Sequence, residues 1–210
     1  MKEVQYMITR VLSATATTTA VLLVGVGAAQ AAKICVNPNR TSCEATIQDA
    51  VDAAVAGDTI SVASGVYFEN VAIPSGKDGL TIRGGRSAIL DAGDDGLAVT
   101  PNTGIGIAIG SNDVTIRGIT IRNGDDHQIE LADLVTGTTV SRVQSINSES
   151  DFVSSAVGGN NNTTVTGCEI FAPDSSAADV TGNGFEFTRN KVRHTSSTGV
   201  DVTGDDAVIE

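Results

Sequence analysis

The sequence predicts an all-β protein built as a parallel β-helix, a solenoid in which short strands stack coil upon coil. The first observation is a repeat: an alternating apolar pattern that begins at Ile116 recurs at Val140, Val165 and Phe187, at spacings of 22 to 25 residues. A repeat this short cannot bury its apolar face alone, so the copies must stack on one another. The second observation is that no helical periodicity appears after residue 58.

A second alternating track runs between these repeats and indicates which kind of solenoid they form. β-Branched residues alternate with small or polar ones, and clusters of Gly, Asn, Asp and Ser separate the runs, as in strands and turns. The track comprises Ile105, Ile107 and Ile109, Ile129 and Leu131, Ala156 and Val157, Ala178 and Val180, and Val200 and Val202. Leucine-rich repeats are disfavoured because their consensus is missing. We therefore predict β-helix coils of about 22–25 residues over residues 59–210, with two or three strands per coil.

The first 31 residues have the pattern of a secretory signal peptide. Lys2 and Arg10 precede an apolar run, and Ala29-Gln30-Ala31 is a small-residue cleavage signature. The run is far shorter than the ~20 apolar residues that a membrane-spanning helix needs. We expect residues 1–31 to be removed, no membrane span in the remaining chain, and a secreted, periplasmic or cell-surface location.

Residues 32–58 are predicted to form a disulfide loop followed by a short capping helix. Cys35 and Cys43 lie eight positions apart in a turn-rich segment, which in an exported chain favours a local disulfide. From Thr46 to Ala54, apolar and polar residues fall on opposite faces of a helix. This helix is expected to cover the first coil, whose strand edges would otherwise pair with other chains.

The other end of the β-helix has no recognisable cap. Val208-Ile209-Glu210 falls within a further predicted strand, so the β-helix is expected to be C-terminally incomplete. An open C-terminal coil is expected to permit self-association, because unpaired strand edges bind further strands.

The charge balance limits the partners. The formal net charge is −12 at pH 7, a surface that repels nucleic acid and anionic headgroups. No nucleic-acid partner is therefore expected, and an acidic glycan would need a bridging cation. Trp is absent, and Tyr67 is the one tyrosine after residue 31, so the aromatic platform of tight neutral-glycan binders is missing.

Four segments near the start of the predicted coils carry a family resemblance. They are Thr46-Ile47-Gln48-Asp49-Ala50-Val51, Ala56-Gly57-Asp58-Thr59-Ile60, Gly65-Val66-Tyr67-Phe68-Glu69-Asn70-Val71 and Leu80-Thr81-Ile82-Arg83-Gly84. With these segments the chain resembles right-handed parallel β-helix proteins of the pectin-lyase-like superfamily. The resemblance implies right-handed coils and a face that contacts a polysaccharide or surface glycan. The superfamily includes lyases, hydrolases, esterases, epimerases, adhesins and non-catalytic solenoids, so enzymatic activity stays open.

Two functions of different classes follow. One is a polysaccharide-active enzyme with lyase- or hydrolase-like chemistry, and the other is a non-catalytic cell-surface or adhesion solenoid. A lyase needs a basic residue near the α-proton of the sugar acid, for which Arg117 is a candidate. Arg117 also aligns with Ser141 and Thr166, as an ordinary outward strand residue would.

A pectin-methylesterase-like carbohydrate esterase is a further alternative. Asp151-Phe152-Val153 is similar to the segment that bears the nucleophilic aspartate of those enzymes, and Asp151 would then attack the ester carbonyl. The Gln-Asp pair expected one coil earlier is absent. His127 and His194 show no ligand spacing and are interpreted as turn residues.

The repeat register also predicts a row of carboxylates. Four residues beyond the aligned positions Ile121, Ser145, Ile170 and Val192 stand Asp125, Glu149, Asp174 and Ser196. If the turns stack, the three carboxylates lie about 4.8 Å apart on successive coils. Calcium accepts several oxygen ligands in flexible geometry. We predict a calcium site at Asp125, Glu149 and Asp174, with Asp125 as an added catalytic candidate; solvent-exposed turn acids are the alternative.

Processing of the leader gives a direct test. Mass spectrometry of exported protein should find a mature chain that begins near Ala32, because the cleavage signature ends at Ala31. The same spectra should show Cys35 joined to Cys43. An exported chain that retains Met1 contradicts the signal-peptide assignment.

Overall fold

The computed structural model describes residues 31–93, 104–155, 158–171, 173–197 and 199–210. The predicted signal peptide lies outside the described residues except for Ala31. In chain order the elements are β1 Lys33–Val36, α1 Ile47–Ala53, β2 Thr59–Val62, β3 Gly65–Phe68, β4 Val71–Ile73, β5 Thr81–Arg83, β6 Ala88–Asp91, β7 Ile107–Ile109, β8 Thr115–Arg117, β9 Thr120–Arg122, β10 Ile129–Leu131, β11 Thr139–Ser141, β12 Gln144–Ile146, β13 Val153–Ser155, β14 Thr164–Thr166, β15 Glu169–Phe171, β16 Ala178–Thr181, β17 Glu186–Thr188, β18 Lys191–Arg193, β19 Val200–Thr203 and β20 Val208–Ile209.

The strands form three parallel sheets that the chain visits in rotation. Sheet A has the order β1-β2-β5-β8-β11-β14-β17-β20, sheet B the order β3-β6-β9-β12-β15-β18, and sheet C the order β4-β7-β10-β13-β16-β19. From β2 onward each coil contributes one strand to each sheet, and each strand pairs with the equivalent strand of the next coil. The fold is a parallel β-helix, which confirms the predicted class and settles the number of strands per coil at three.

The predicted register of the repeats is confirmed in sheet A. Val140 pairs with Ile116 on one side and with Val165 on the other, and all three side chains are fully buried. Each isoleucine buried in this way contributes roughly 1.5–3 kcal/mol of hydrophobic free energy. The repeated apolar positions therefore form continuous columns of side chains along the interior of the helix.

The second track is confirmed in sheet C, with one correction. Ile129 pairs with Ile107, as the alternation predicts, but its partner on the next coil is Val153. The prediction had placed that coil's strand at Ala156 and Val157, which lie outside the described residues. In this strand Val153 is followed by two serines, so the alternation on which the prediction depended is absent.

Helix α1 is attached to the first coil through a buried carboxylate. The Oε1 atom of Glu69 accepts from the Ile47 amide at 2.8 Å, and Oε2 accepts from the Gln48 amide at 2.9 Å. The Thr46 hydroxyl accepts a third amide, that of Asp49, at 3.0 Å. Together these bonds satisfy three of the amides that a helix N-terminus leaves free.

The other predicted features of the N-terminal segment are also present. Cys35 and Cys43 form a disulfide, as predicted. The Tyr67 hydroxyl donates to the carbonyl of Ala63 at 3.0 Å. Tyr67 and Glu69, which both lie in a segment that carries the family resemblance, therefore make structural hydrogen bonds. Within the described part of the chain, no helix is long and apolar enough to cross a membrane.

The buried carboxylate leads to a stability prediction. We expect Glu69→Gln to lower the free energy of unfolding by about 1–2 kcal/mol, because the amide NH₂ would face one of the two helix amides. Urea denaturation measures the change. Glu186→Gln, on an exposed strand position, is the matched control and should leave the midpoint nearly unchanged.

The same pair of proteins tests the protonation of Glu69. Burial raises the pKa of Glu69 above its ordinary value of 4.5, so the folded chain holds this proton more tightly than the unfolded chain. The stabilisation that results is present below about pH 4.5 and is lost as pH rises through the folded-state pKa. The stability difference between wild type and Glu69→Gln should therefore narrow with rising pH; a widening difference contradicts this reasoning.

Candidate functional site

The predicted acidic row lies at the B–C corner, the set of turns that connect sheet B to sheet C. The Glu149 amide donates to the carbonyl of Gly124 at 3.0 Å, and the Asp174 amide donates to the carbonyl of Ser148 at 2.9 Å. These bonds continue the parallel ladder into the turns. Asp125, Glu149 and Asp174 therefore stack on successive coils.

The acidic row lines an open groove of about 370 Å³, together with Asn123, Asn147 and Ser148. Asn123 and Asn147 adopt the left-handed conformation, with φ of 56° and 52°, which asparagine tolerates better than most residues. They bend the chain in the same way on successive coils. The groove thus runs along the helix axis and presents carboxylates and amides to solvent.

Metal binding at the row is not decided by this geometry. Among the described residues, no group of three or more Asp, Glu, His or Cys side chains is arranged to hold a metal ion. The three carboxylates are presented separately, one per coil. Calcium binding by Asp125, Glu149 and Asp174 stays a prediction.

Beside the groove, His127 and Asp151 lie next to each other on adjacent coils. The Gln128 amide donates to the Asp151 carbonyl at 3.1 Å, which fixes the relative position of the two turns. His127 Nδ1 is 3.8 Å from Asp151 Oδ2, and His127 Nε2 is 3.3 Å from Asp126 Oδ1. The imidazole lies between two carboxylates, which restrict its orientation.

The carboxylate of Asp151 is fixed by the next coil. The residue is 5% exposed, and Oδ1 accepts from the Ser176 amide at 2.7 Å. The second oxygen, Oδ2, faces His127. The Nδ1 atom of His127 is buried and has no hydrogen-bond partner among the described residues, since 3.8 Å exceeds hydrogen-bond length.

Asp179 belongs to the same cluster from sheet C. It pairs with Ser154 and Asp201 on the neighbouring coils. Partial desolvation, together with the negative charges of Asp151 and Asp201, raises the pKa of Asp179, while His127 acts in the opposite direction. An exposed carboxyl therefore retains its proton to higher pH than an ordinary aspartate does. A histidine and a proton-retaining carboxyl side by side can exchange protons with a bound molecule.

The structure separates the predicted site residues into two places. Asp125 and Asp151 come together at the B–C corner. Arg117 lies on the outer face of sheet A, where it pairs with Arg83 and Ser141. Arg117 is therefore not brought beside the acidic row.

His127 is the residue whose surroundings the sequence interpretation missed. It does lie in a turn, as predicted, but between Asp126 and Asp151. The signal that could have found it is its spacing of 24 residues from Asp151, one coil length. Where the esterase resemblance expects a Gln-Asp pair, one coil before Asp151, the structure places Asp126 and His127.

Comparisons with known proteins agree with the architecture. Among solved structures, a rhamnogalacturonan lyase superimposes with a TM-score of 0.53 at 8% identity, covering 82% of this chain and 62% of that one. A pectin methylesterase from carrot gives a TM-score of 0.50 at 20% identity, with coverages of 76% and 63%. The chain thus spans less than two thirds of each protein, and at these identities the likeness shows the fold alone. No curated protein matches the sequence.

A family model decides the classification. The model described as the right handed beta helix region matches residues 53–210, which is most of the chain. The same residues form the stacked coils of sheets A, B and C. The chain therefore belongs to the right-handed β-helix family and has the pectin-lyase-like fold.

Proposed function

We propose that this protein is an exported, polysaccharide-active β-helix protein whose reactive centre is the cluster of His127, Asp151 and Asp179. The observation that carries the proposal is the imidazole of His127, held between two carboxylates and next to a carboxyl with a raised pKa. Pairs of titratable groups whose surroundings separate their proton affinities are typical of acid–base catalysis.

A polysaccharide is the substrate class that suits the surroundings of this cluster. The adjoining groove is open, lined by carboxylates and amides, and extends along successive coils, so it accommodates a long polar chain better than a compact ligand. Two solved structures with this fold are named as a pectin methylesterase and a rhamnogalacturonan lyase. Both names refer to polysaccharides.

Hydrolysis is the reaction that these side chains can support. His127 accepts a proton from a water molecule, whose oxygen bonds to the sugar carbon under attack. Asp179 donates its proton to the departing glycosidic oxygen, so the water is divided between the two products. Asp151 and Asp126 orient the imidazole and stabilise its positive charge.

An esterase mechanism with Asp151 as nucleophile is less well supported. Attack on a carbonyl requires a carboxylate oxygen that reaches substrate. Asp151 is 5% exposed, one of its oxygens is bonded to the Ser176 amide, and the other faces His127. These contacts suit a residue that orients His127 better than one that attacks the substrate.

Export is the remaining part of the proposal. The Cys35–Cys43 disulfide is of the kind that persists in oxidising compartments. The signal-peptide pattern of residues 1–31 points the same way, to a secreted, periplasmic or cell-surface protein.

Substitutions in the cluster test the reaction. Full-length protein is incubated with neutral and uronate polysaccharides while new reducing ends, unsaturated products and released methanol are measured. We expect new reducing ends from the wild type, and a loss of about 100-fold or more in His127→Gln and in Asp179→Asn. His194→Asn is the matched control, because His194 is exposed at a turn and Asn tolerates its positive φ of 59°.

The alternatives give different results in the same assay. Unsaturated products would indicate a lyase, and methanol without new reducing ends an esterase. A wild type that binds a polymer but is inactive on every polymer would support the non-catalytic adhesion protein.

Calcium binding at the acidic row is tested separately. If the row binds calcium, titration should raise the Tm of the wild type, and the triple variant Asp125→Asn/Glu149→Gln/Asp174→Asn should lose that increase. Asp49→Asn/Asp52→Asn/Asp133→Asn removes three acidic residues elsewhere and should retain it. Equal stabilisation of the wild type and the row variant would leave the row as solvent-exposed turn residues.

A further inference from the structure

Sheet A carries a second polar surface, remote in the fold from the reactive centre. Along each strand the buried apolar residue is flanked by two outward positions, and stacking turns these positions into two rows. Row one contains Lys33, Thr59, Thr81, Thr115, Thr139, Thr164 and Glu186, and row two contains Ser61, Arg83, Arg117, Ser141, Thr166 and Thr188. The two rows define the sheet A face, which combines hydroxyl and guanidinium groups.

The hydroxyl row is regular. Five threonines occupy consecutive strands of row one, so their side chains repeat at the strand spacing of about 4.8 Å. None of the five is fully buried. A line of evenly spaced hydroxyls, each able to donate and accept, matches an extended polymer of hydroxylated units better than a single small molecule.

The guanidinium groups lie beside this row. Arg83 and Arg117 pair on adjacent strands, and both are exposed. Arg142 and Arg189 stand at the A–B corner, the turns between sheets A and B, and both are exposed with left-handed φ values of 54° and 57°. Four arginines thus border one face in a chain whose net charge is −12.

The arginines line two grooves that are continuous with each other. One, of about 450 Å³, is lined by Arg83, Gly84, Gly85, Arg86, Arg117, Gly118 and Arg142. The next, of about 410 Å³, shares Arg117 and Arg142 and adds Arg189. Gly118 lies close to the neighbouring coil, since a Cβ there would lie 2.7 Å from the carbonyl oxygen of Gly84.

Four of these guanidinium groups lack a carboxylate partner among the described residues. Within those ranges, no ion pair involves Arg83, Arg117, Arg142 or Arg189 at 4.0 Å or less, whereas Arg86 in the same groove pairs with Glu169 at 2.9 Å. Unpaired like charges at neighbouring coils repel one another. An anionic ligand removes that repulsion, and guanidinium groups bind carboxylates through two parallel hydrogen bonds.

We propose that the sheet A face is an anchoring surface for an extended carboxylated polysaccharide, lying parallel to the helix axis. Each unit of such a polymer carries hydroxyls for row one and a carboxylate for the arginines of row two and the A–B corner. A nucleic acid matches less well, because the two rows contain no aromatic side chain on which a base could stack. The surface is separate from the cluster at His127, so binding here does not depend on catalysis there.

Binding measurements on the full-length protein test this surface. Mobility in native gels containing polygalacturonate gives the affinity, at low and at high salt. We expect Arg83→Gln/Arg117→Gln to weaken binding by about ten-fold or more, and wild-type binding to fall as salt screens the charges. Arg40→Gln/Arg193→Gln makes the same charge change on exposed residues elsewhere and should retain binding.

A second variant separates a glycan from other polyanions. Thr115→Val/Thr139→Val removes two hydroxyls from row one and leaves every charge in place. It should weaken binding to polygalacturonate several-fold and leave weak binding to dextran sulfate or single-stranded DNA unchanged. The result is independent of enzymatic activity, since His127→Gln should bind as the wild type does.

Several outcomes would overturn the proposal. They are absence of wild-type binding, equal loss in the control pair of arginine substitutions, or binding of DNA or dextran sulfate as strong as that of polygalacturonate. Salt-sensitive dimerisation by light scattering that Arg83→Gln/Arg117→Gln abolishes would instead assign the face to a second copy of the chain.

Discussion

In-register parallel stacking of the coils is the constraint on which the rest of this structure depends. Each three- or four-residue strand is too short to be stable alone, and it obtains its backbone partners and its apolar neighbours from the coils on either side. A slip of one residue in Val140 against Ile116 would turn the buried side chain to solvent. Because the register cannot slip, any residue type that recurs at the coil spacing forms a straight row on the surface. The acidic row and the threonine row are both products of this rule.

The net charge of the chain conceals a separation of charge between two regions of the solenoid. The unpaired arginines border sheet A, whereas carboxylates collect at the B–C corner, and the apolar interior lies between these two parts of each coil. Opposite charges so placed do not neutralise each other through short contacts. The Arg86–Glu169 pair joins two residues at the A–B side of sheet B and therefore does not connect the two regions. An acidic protein can therefore present a local basic surface, which a total charge of −12 does not reveal.

Much of the fold could be predicted from the sequence because its information is periodic. From Ile116 onward the apolar positions of sheet A recur every 22 to 25 residues, and counting onward from them placed Asp125, Glu149 and Asp174 on successive turns. Prediction failed where the strand lacks alternation. In β13, Val153 is followed by two serines, so the prediction placed the strand at the apolar residues 156 and 157 instead.

The candidate site was less predictable because it depends on directions as well as positions. Spacing places His127 beside Asp151, but the orientation of the imidazole between two carboxylates follows from turn geometry that no periodic count contains. The corner arginines illustrate the same limit. Arg142 and Arg189 occupy left-handed turn positions that Gly118 and Gly167 fill on other coils, so the sequence pattern predicts glycine where the structure presents a long basic side chain.

The left-handed corner between sheets A and B also determines how the sheet A face can lengthen. From Gly118 onward, each coil enters on sheet A, turns at a corner residue with positive φ, and returns to sheet A one strand further along the axis. Duplication of a whole coil would add one hydroxyl and one corner position to the face without disturbing the coils before or after it. The number of contacts available to a long ligand therefore scales with coil number, and avidity can evolve by gain or loss of repeats while the chemistry of each contact stays the same.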